Sequence, residues 1–283
     1  MMIDIAGGIS IFDRVLKGGR YLFGKYRKNP SLYLEGTLTS GLELAYRIIA
    51  LFEAHDVKRT QIYRVLGKDF PEIKPSLDAE KLQPIISEDL FARISELLGV
   101  RQAWLEGENG PIYELLSHYK NISAYVDFIQ KLKQRNPENF CFLTALKPVH
   151  TANDLYVNQP DIALYFSEPI AELDRKTIYR YYPMFGPFPW DHSPALYHLC
   201  AFFNVAYETR LLSLKGYSAP LKHVVKVASG EAIPMYNIKV KASSFWHPVD
   251  YAYPEGHYKG RVKIDDWQNV LNYFEDSGVK IQR

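Results

Sequence analysis

The sequence predicts an α+β protein, in which an all-helical region precedes a domain of mixed strands and helices. Between residues 36 and 110, apolar residues recur at helical spacing between capping residues and glycines. From residue 138 onward, short aromatic and apolar runs alternate irregularly with helical stretches, unlike repeated βαβ units. Apolar residues make up 47% of the chain and charged residues 23%, which is the balance of a globular protein.

We divide the chain into four parts. Residues 1–35 carry six Lys/Arg against three Asp/Glu and predict an amphipathic basic helix, which either docks on its own protein or touches phosphates or a membrane surface. Residues 36–110 form the helical module. Residues 111–137 predict a connecting helix that is either a rigid connector or a dimerisation helix, and residues 138–283 an α+β domain for sensing or interaction.

Capping residues predict where the helices of the module begin and end. Thr39 or Ser40 starts a helix that ends near His55, and a short helix over residues 59–66 ends at Gly67. After an irregular stretch over residues 68–75, Ser76 caps a short segment that ends at Pro84. Ser87 caps the clearest helix, which Gly99 ends, and a last short helix spans residues 101–106.

The α+β domain is predicted from aromatic and apolar runs. Strands are expected over residues 140–146, 161–166 and 177–182. Helices are expected over residues 194–208, 220–228 and 265–275.

The stretch from Ile86 to Val100, followed by Trp104-Leu105-Glu106-Gly107, is similar to the last two helices of lambda-repressor-like (Cro-type) helix-turn-helix domains. In that family a leucine-rich helix ends at a glycine, and a short turn places a tryptophan or leucine against the core. Upstream, Thr60-Gln61 and Leu66-Gly67 resemble the two ends of the first helix of the DNA-reading unit. The resemblance covers residues 41–110 and implies a bacterial transcriptional regulator that binds double-stranded DNA.

Candidate DNA contacts follow from the resemblance and from local charge. Lys58, Arg59 and Arg64 cluster with Thr60 and Gln61 at a helix start, where side chains contact phosphates. The following short helix carries two further polar side chains that could reach base edges, Lys81 and Gln83.

Other residues favour an alternative, in which the module is a structural or protein-interaction unit that has lost DNA binding. Nine Lys/Arg against twelve Asp/Glu give the module a net charge of −3, whereas DNA affinity depends on neutralising phosphates. Tyr63 stands where the family has a small residue, so its ring is expected to hold two helices apart. Pro71 and Pro75 fall where the reading helix normally begins and displace it to residues 77–83.

Two aromatic clusters, over residues 179–192 and 245–251, predict a small-molecule pocket or plain packing in the α+β domain. The candidate ligand-binding residues are Tyr181, Trp190, His192 and Trp246. We expect a sensed ligand or a homodimer, but no cofactor.

Catalytic and metal sites have no support in the sequence. Asp191-His192-Ser193 holds three catalytic residue types, but adjacent residues do not form a triad. Phosphate-binding glycine loops and metal-ligand spacings of Cys or His are absent from the sequence, so we name no catalytic or metal residue and regard an enzyme as less expected than a binding protein. Cys141 and Cys200 are read as buried thiols, and without a signal peptide or spanning segment we expect a cytoplasmic protein.

Overall fold

The computed structural model describes residues 40–119, 121–138, 141–149, 162–186, 188, 193–210, 212–236 and 245–251, with residues 272 and 275. The chain divides into two compact units, residues 1–35 and residues 36–283. The basic helix predicted within residues 1–35 lies outside the described residues. So does the helix predicted over residues 265–275, except for positions 272 and 275, which are helical.

The helical module contains five α-helices among its described residues: α1 (Gly41–Ala54), α2 (Ile62–Leu66), α3 (Ala79–Leu82), α4 (Glu88–Leu98) and α5 (Gln102–Leu105). Ser40 and Glu43 form a capping box that starts α1. Ser87 caps α4, and Gly99 ends it in the left-handed conformation, with φ of 74°. The two helices with the clearest capping signals therefore begin and end where the sequence predicts.

The short helix α3 differs from its prediction in two ways. Its N-cap is Asp78 rather than Ser76, because the Asp78 carboxylate accepts a hydrogen bond from the backbone N–H of Lys81. Pro84 lies inside a following 3-10 turn (Gln83–Ile85) instead of ending the segment. The Tyr63 side chain lies at the surface, where it is 36% exposed.

A buried arginine joins the first and last helices of the module. The guanidinium of Arg47 in α1 donates hydrogen bonds to the backbone carbonyls of Trp104 and Glu108, and lies 4.8 Å from the centroid of the Trp104 ring. Burial lowers the pKa of Arg47 to about 10. Carbonyl oxygens and an aromatic face thus take the place of a carboxylate in holding this charge.

The described residues after the module form a five-stranded mixed sheet, three α-helices and a 3-10 turn (Pro248–Tyr251). The strands are β1 (Cys141–Pro148), β2 (Ala163–Leu173), β3 (Lys176–Pro183), β4 (Leu212–Ala219) and β5 (Phe245–Trp246), in the order β3-β2-β1-β4-β5. Only β1 and β4 are parallel; the other neighbours are antiparallel. The helices are α6 (Ile122–Arg135), α7 (Ser193–Thr209) and α8 (Leu221–Ala228). The α+β class predicted from the sequence is confirmed.

The predicted connecting helix is shorter than expected and has another role. It begins at Ile122, capped by Asn121, while the backbone around residues 112–116 pairs with other segments: Ile112 N donates to Gly230 O, and Leu116 N to Pro183 O. The apolar side of α6 is buried in the sheet core of its own chain. The apolar side expected of a connector or a dimerisation helix is therefore covered within the chain itself.

Alternating side chains give the sheet two different faces. The core face packs against α6 and α7 and includes both free cysteines in its hydrophobic cluster. The opposite face, which we call the tyrosine face, is polar and aromatic, and α8 packs on its β1 and β2 strands. By strand register its polar and aromatic residues include Phe142, Thr144, Tyr165, Ser167, Tyr179, Tyr181, Ser213, Lys215 and Tyr217, beside apolar residues such as Leu146 and Ala163.

Candidate functional site

Two of the predicted DNA contacts bind the protein's own β2–β3 hairpin. Asp174 lies in the two-residue turn of that hairpin, where it and Arg175 have φ of 50° and 65°, as in a type I′ turn. Its carboxylate accepts hydrogen bonds from Gln61 Nε2 at 2.6 Å and from Arg64 Nη1 at 2.7 Å. The hydrogen bond and charge of Arg64 lower the pKa of Asp174, so the carboxylate stays ionised.

Most of the other predicted DNA contacts have partners within the module. Arg59 pairs with Glu53 at 3.3 Å, and Lys81 pairs with Asp78 at 3.0 Å while also donating to the carbonyl of Ser76. The side chain of Gln83 lies against Gly41 at the start of α1. Lys58 and Thr60 are exposed.

The same hairpin carries a second ion pair to the module. Lys176, directly after the turn, binds the carboxylate of Asp56 at 2.9 Å. Asp56 follows the end of α1 and has φ of 65°. Together with the Asp174 contacts, this pair places the turn of the hairpin across the surface that the resemblance assigns to DNA.

A buried histidine lies beneath this surface, and sequence reasoning missed it. His55 Nδ1 is 2.8 Å from the carbonyl of Leu51, and its Nε2 is 3.2 Å from the hydroxyl of Tyr113. Its ring lies 5.5 Å from that of Tyr181 in β3. Burial lowers the pKa of His55 to about 4, so the imidazole is neutral at physiological pH. In the sequence, His55 stands only as the residue where α1 is expected to end. Nothing there indicated that its ring would contact Tyr113 and Tyr181.

A second polar cluster, also missed, surrounds Glu168 in β2. Its side chain is only 5% exposed and accepts hydrogen bonds from Arg135, Asn136 and Tyr182. Burial, followed by the hydrogen bond to Glu168, raises the pKa of Tyr182 to about 12. Arg180 lies 3.7 Å from the same carboxylate and donates from Nε to the carbonyl of Leu97 at the end of α4. The cluster therefore connects α6, the sheet and the helical module.

The two predicted ligand-binding residues that the structure describes lie on opposite faces of the sheet. Tyr181 is buried on the tyrosine face beside Tyr165, whereas Trp246 lies on the core face near Phe203. Trp190 and His192 lie outside the described residues. Tyr181 and Trp246 are therefore packing residues of opposite sheet faces rather than walls of one pocket.

No group of three or more His, Cys, Asp or Glu side chains in the described part of the chain is arranged to hold a metal ion. None of the helices described is long and apolar enough to cross a membrane. Compared with known proteins, the chain matches no family model, no curated protein and no solved structure.

Proposed function

We propose that this protein is a structural or protein-interaction protein, in which the helix-turn-helix-like module no longer reads DNA and serves as a fixed part of the sheet domain. The contact of Gln61 and Arg64 with Asp174 carries this proposal. A carboxylate in the position where a phosphate is expected occupies the donors and repels polyanions. The net charge of −3 on the module supports the same proposal.

DNA binding by the full chain tests the proposal directly. Binding to mixed genomic fragments is measured by gel shift or anisotropy at about 50 mM and about 200 mM salt, because phosphate contacts are strongest at low salt. We expect no binding by the wild type or by Asp174→Asn. Glu172→Gln is the matched control, because it removes an exposed carboxylate from the adjoining strand β2 without touching Gln61 or Arg64. Salt-sensitive binding by the wild type would overturn the proposal.

Native-state hydrogen exchange supplies the positive test. If the module is a fixed part of the sheet domain, the slowest amides of α1 and α4 open with the same free energy as those of β1 and β2. Independent opening of α1 and α4 at a much lower free energy contradicts the structural role.

One observation favours a second candidate, a DNA-binding regulator whose C-terminal domain senses a ligand. The Arg64–Asp174 pair is open to solvent, with side chains 37% and 63% exposed, so phosphates could compete with the carboxylate. In this candidate the hairpin restrains the module until a ligand releases it. DNA binding gained by Asp174→Asn and lacking in the wild type and in Glu172→Gln identifies it.

The proposals also include a cellular location and an oligomeric state. Two free and buried cysteines support a reducing compartment such as the cytoplasm. We expect a homodimer only for the second candidate, the DNA-binding regulator, because helix-turn-helix proteins commonly bind two half-sites as dimers. Sedimentation of the full chain at micromolar concentration distinguishes monomer from dimer.

A further inference from the structure

Lys215 occupies the middle of the tyrosine face. In the register of the sheet it lies opposite Thr144 of β1, which in turn lies opposite Tyr165 of β2. The side chain is half-buried, and its Nζ lies 3.2 Å from the centroid of the Phe142 ring. Burial lowers the pKa of Lys215 because it disfavours the charged ammonium.

The ammonium of Lys215 forms no ion pair with any carboxylate in the described part of the chain. The π face of Phe142 is the contact that stabilises its charge. By contrast, Lys81 of the helical module, whose side chain is 57% exposed, pairs with the carboxylate of Asp78. A half-buried cation on a strand face without an acidic residue attracts an anion of matching size.

Further aromatic side chains lie on the same sheet face as the lysine. The ring of Tyr179 lies 5.8 Å from that of Phe142, edge to face. Burial and, second, the charge of Tyr179 raise the pKa of Tyr217. Phe245 of β5 is 54% exposed and lies 5.1 Å from the Tyr217 ring, where it extends the aromatic surface to the edge of the sheet.

We propose that the tyrosine face binds a small aromatic anion, whose carboxylate or phosphate contacts Lys215 and whose ring packs among Phe142, Tyr179 and Tyr217. The ring fits because these side chains offer edges and faces rather than a deep aliphatic cavity. The anionic group fits because the Lys215 ammonium has no carboxylate partner in the described part of the chain, and Tyr179 and Tyr217 on the same face carry phenol donors. This site lies apart from Trp246, and it does not rest on the proposed structural function.

Nuclear magnetic resonance of the full chain tests the site without removing the lysine. Reductive ¹³C-dimethylation of the lysines keeps their positive charge and gives each one a separate signal. Lys215→Arg identifies the Lys215 signal by its loss. The probes are benzoate and phenyl phosphate, with benzyl alcohol and acetate as controls that lack the charge or the ring.

We expect benzoate or phenyl phosphate to shift the Lys215 signal with saturation at low millimolar concentration, as is usual for fragments of about ten heavy atoms. The tighter of the two identifies the anionic group. Acetate and benzyl alcohol should bind at least about tenfold more weakly, because each supplies only one of the two contacts. No saturable shift with either aromatic anion, or equal binding of benzyl alcohol, overturns the proposal.

A matched pair of variants checks the assignment by tyrosine fluorescence or calorimetry on unlabelled protein. Lys215→Met should weaken binding of the better probe about tenfold, whereas Lys215→Arg should retain most of it. Lys147→Met is the control, because Lys147 lies over the Trp246 ring on the core face of the same sheet. Equal weakening by Lys147→Met and Lys215→Met contradicts a site on the tyrosine face.

Discussion

The β2–β3 hairpin contacts its surroundings through two carboxylates that look alike in distance and differ in environment. Glu168 lies 2.9 Å from Arg135, and Asp174 lies 2.7 Å from Arg64. The Glu168 side chain is 5% exposed and Arg180 beside it 19%, whereas the Asp174 side chain is 63% exposed. Each carboxylate also accepts a hydrogen bond from an amide side chain, Asn136 or Gln61.

The two contacts have different effects because one is buried and the other is exposed to solvent. Removing one partner of a buried network leaves other charges unpaired, whereas water replaces a lost partner at the surface. The Glu168 cluster therefore holds the module against the sheet, through Arg180 and the carbonyl of Leu97. The Asp174 contact determines instead which groups the module presents to solvent.

The largest effect is expected from Glu168→Gln. The substitution keeps the shape of the side chain but removes the negative charge between Arg135 and Arg180. We expect the free energy of unfolding to fall by roughly 2–3 kcal/mol, below the value for a fully buried pair because Arg135 is half exposed. Urea unfolding measures it. Glu172→Gln, on the exposed part of β2, is the control, and an equal loss there would contradict the role of burial.

Low pH should destabilise the folded protein through His55, which lies at the end of α1 beside Tyr181 of β3. The unfolded imidazole takes a proton near pH 6.5, but the folded one only near pH 4, so the unfolded state binds more protons between these values. Stability is constant above this window and falls as the pH decreases through it. Between pH 7 and pH 5, His55 accounts for a loss of about 2 kcal/mol.

The His55→Phe variant tests this contribution to the pH dependence of stability. Phenylalanine does not titrate, so the contribution should be absent from the variant. Urea unfolding of the variant between pH 7 and pH 5 should show a correspondingly shallower slope. Some slope remains, since burial also lowers the pKa of His118 to about 4. An unchanged slope in the variant rules out a neutral, buried His55.

A smaller effect is expected at Gly99, where α4 meets Arg180. Gly99 has φ of 74°, and a Cβ there would lie 2.9 Å from Cγ of Arg180. Gly99→Ala should destabilise the protein by about 1–2 kcal/mol, mainly through the left-handed backbone. Gly99→Asn is the matched comparison: asparagine tolerates this conformation, so it should unfold at a higher urea concentration than the alanine variant. The reverse order would show that the Arg180 contact dominates.

The smallest effect on stability is expected from Asp174→Asn. The carboxylate is at the surface, so water replaces it as the partner of Gln61 and Arg64. The urea midpoint should remain that of the wild type within error. A midpoint shift as large as that of Glu168→Gln would show that the two contacts are equivalent after all.

Local signals predicted much of this fold, and contacts between distant segments account for most of what they missed. Ser40, Ser87 and Gly99 act on neighbouring backbone, so α1 and α4 could be located from the sequence. Strand β4 was missed because its LSLKGYSA sequence mixes polar residues with a glycine, and its pairing partner β1 lies about seventy residues upstream. Gly216 is needed there because Trp246 packs directly against its backbone.

The candidate sites were less predictable for the same reason. Arg64 and Gln61 have the residue types of DNA contacts, and nothing near them in sequence indicates that a carboxylate 110 residues away binds them. Tyr181 and Trp246 both belong to aromatic-rich segments, but strand alternation places them on opposite faces of the sheet. Nothing in the sequence indicated that Lys215 could contact a ligand, because its neighbours come together only when the strands pair.

The two cysteines of the core also have a practical consequence. Burial raises the pKa of Cys141 to about 11 and that of Cys200 to about 12, so neither is a ready thiolate in the folded protein. Thiol reagents react with the ionised form, and they can reach it only after the sheet and α7 separate. The rate at which the two cysteines are labelled therefore measures how fast this core opens, and no cysteine has to be introduced for the experiment.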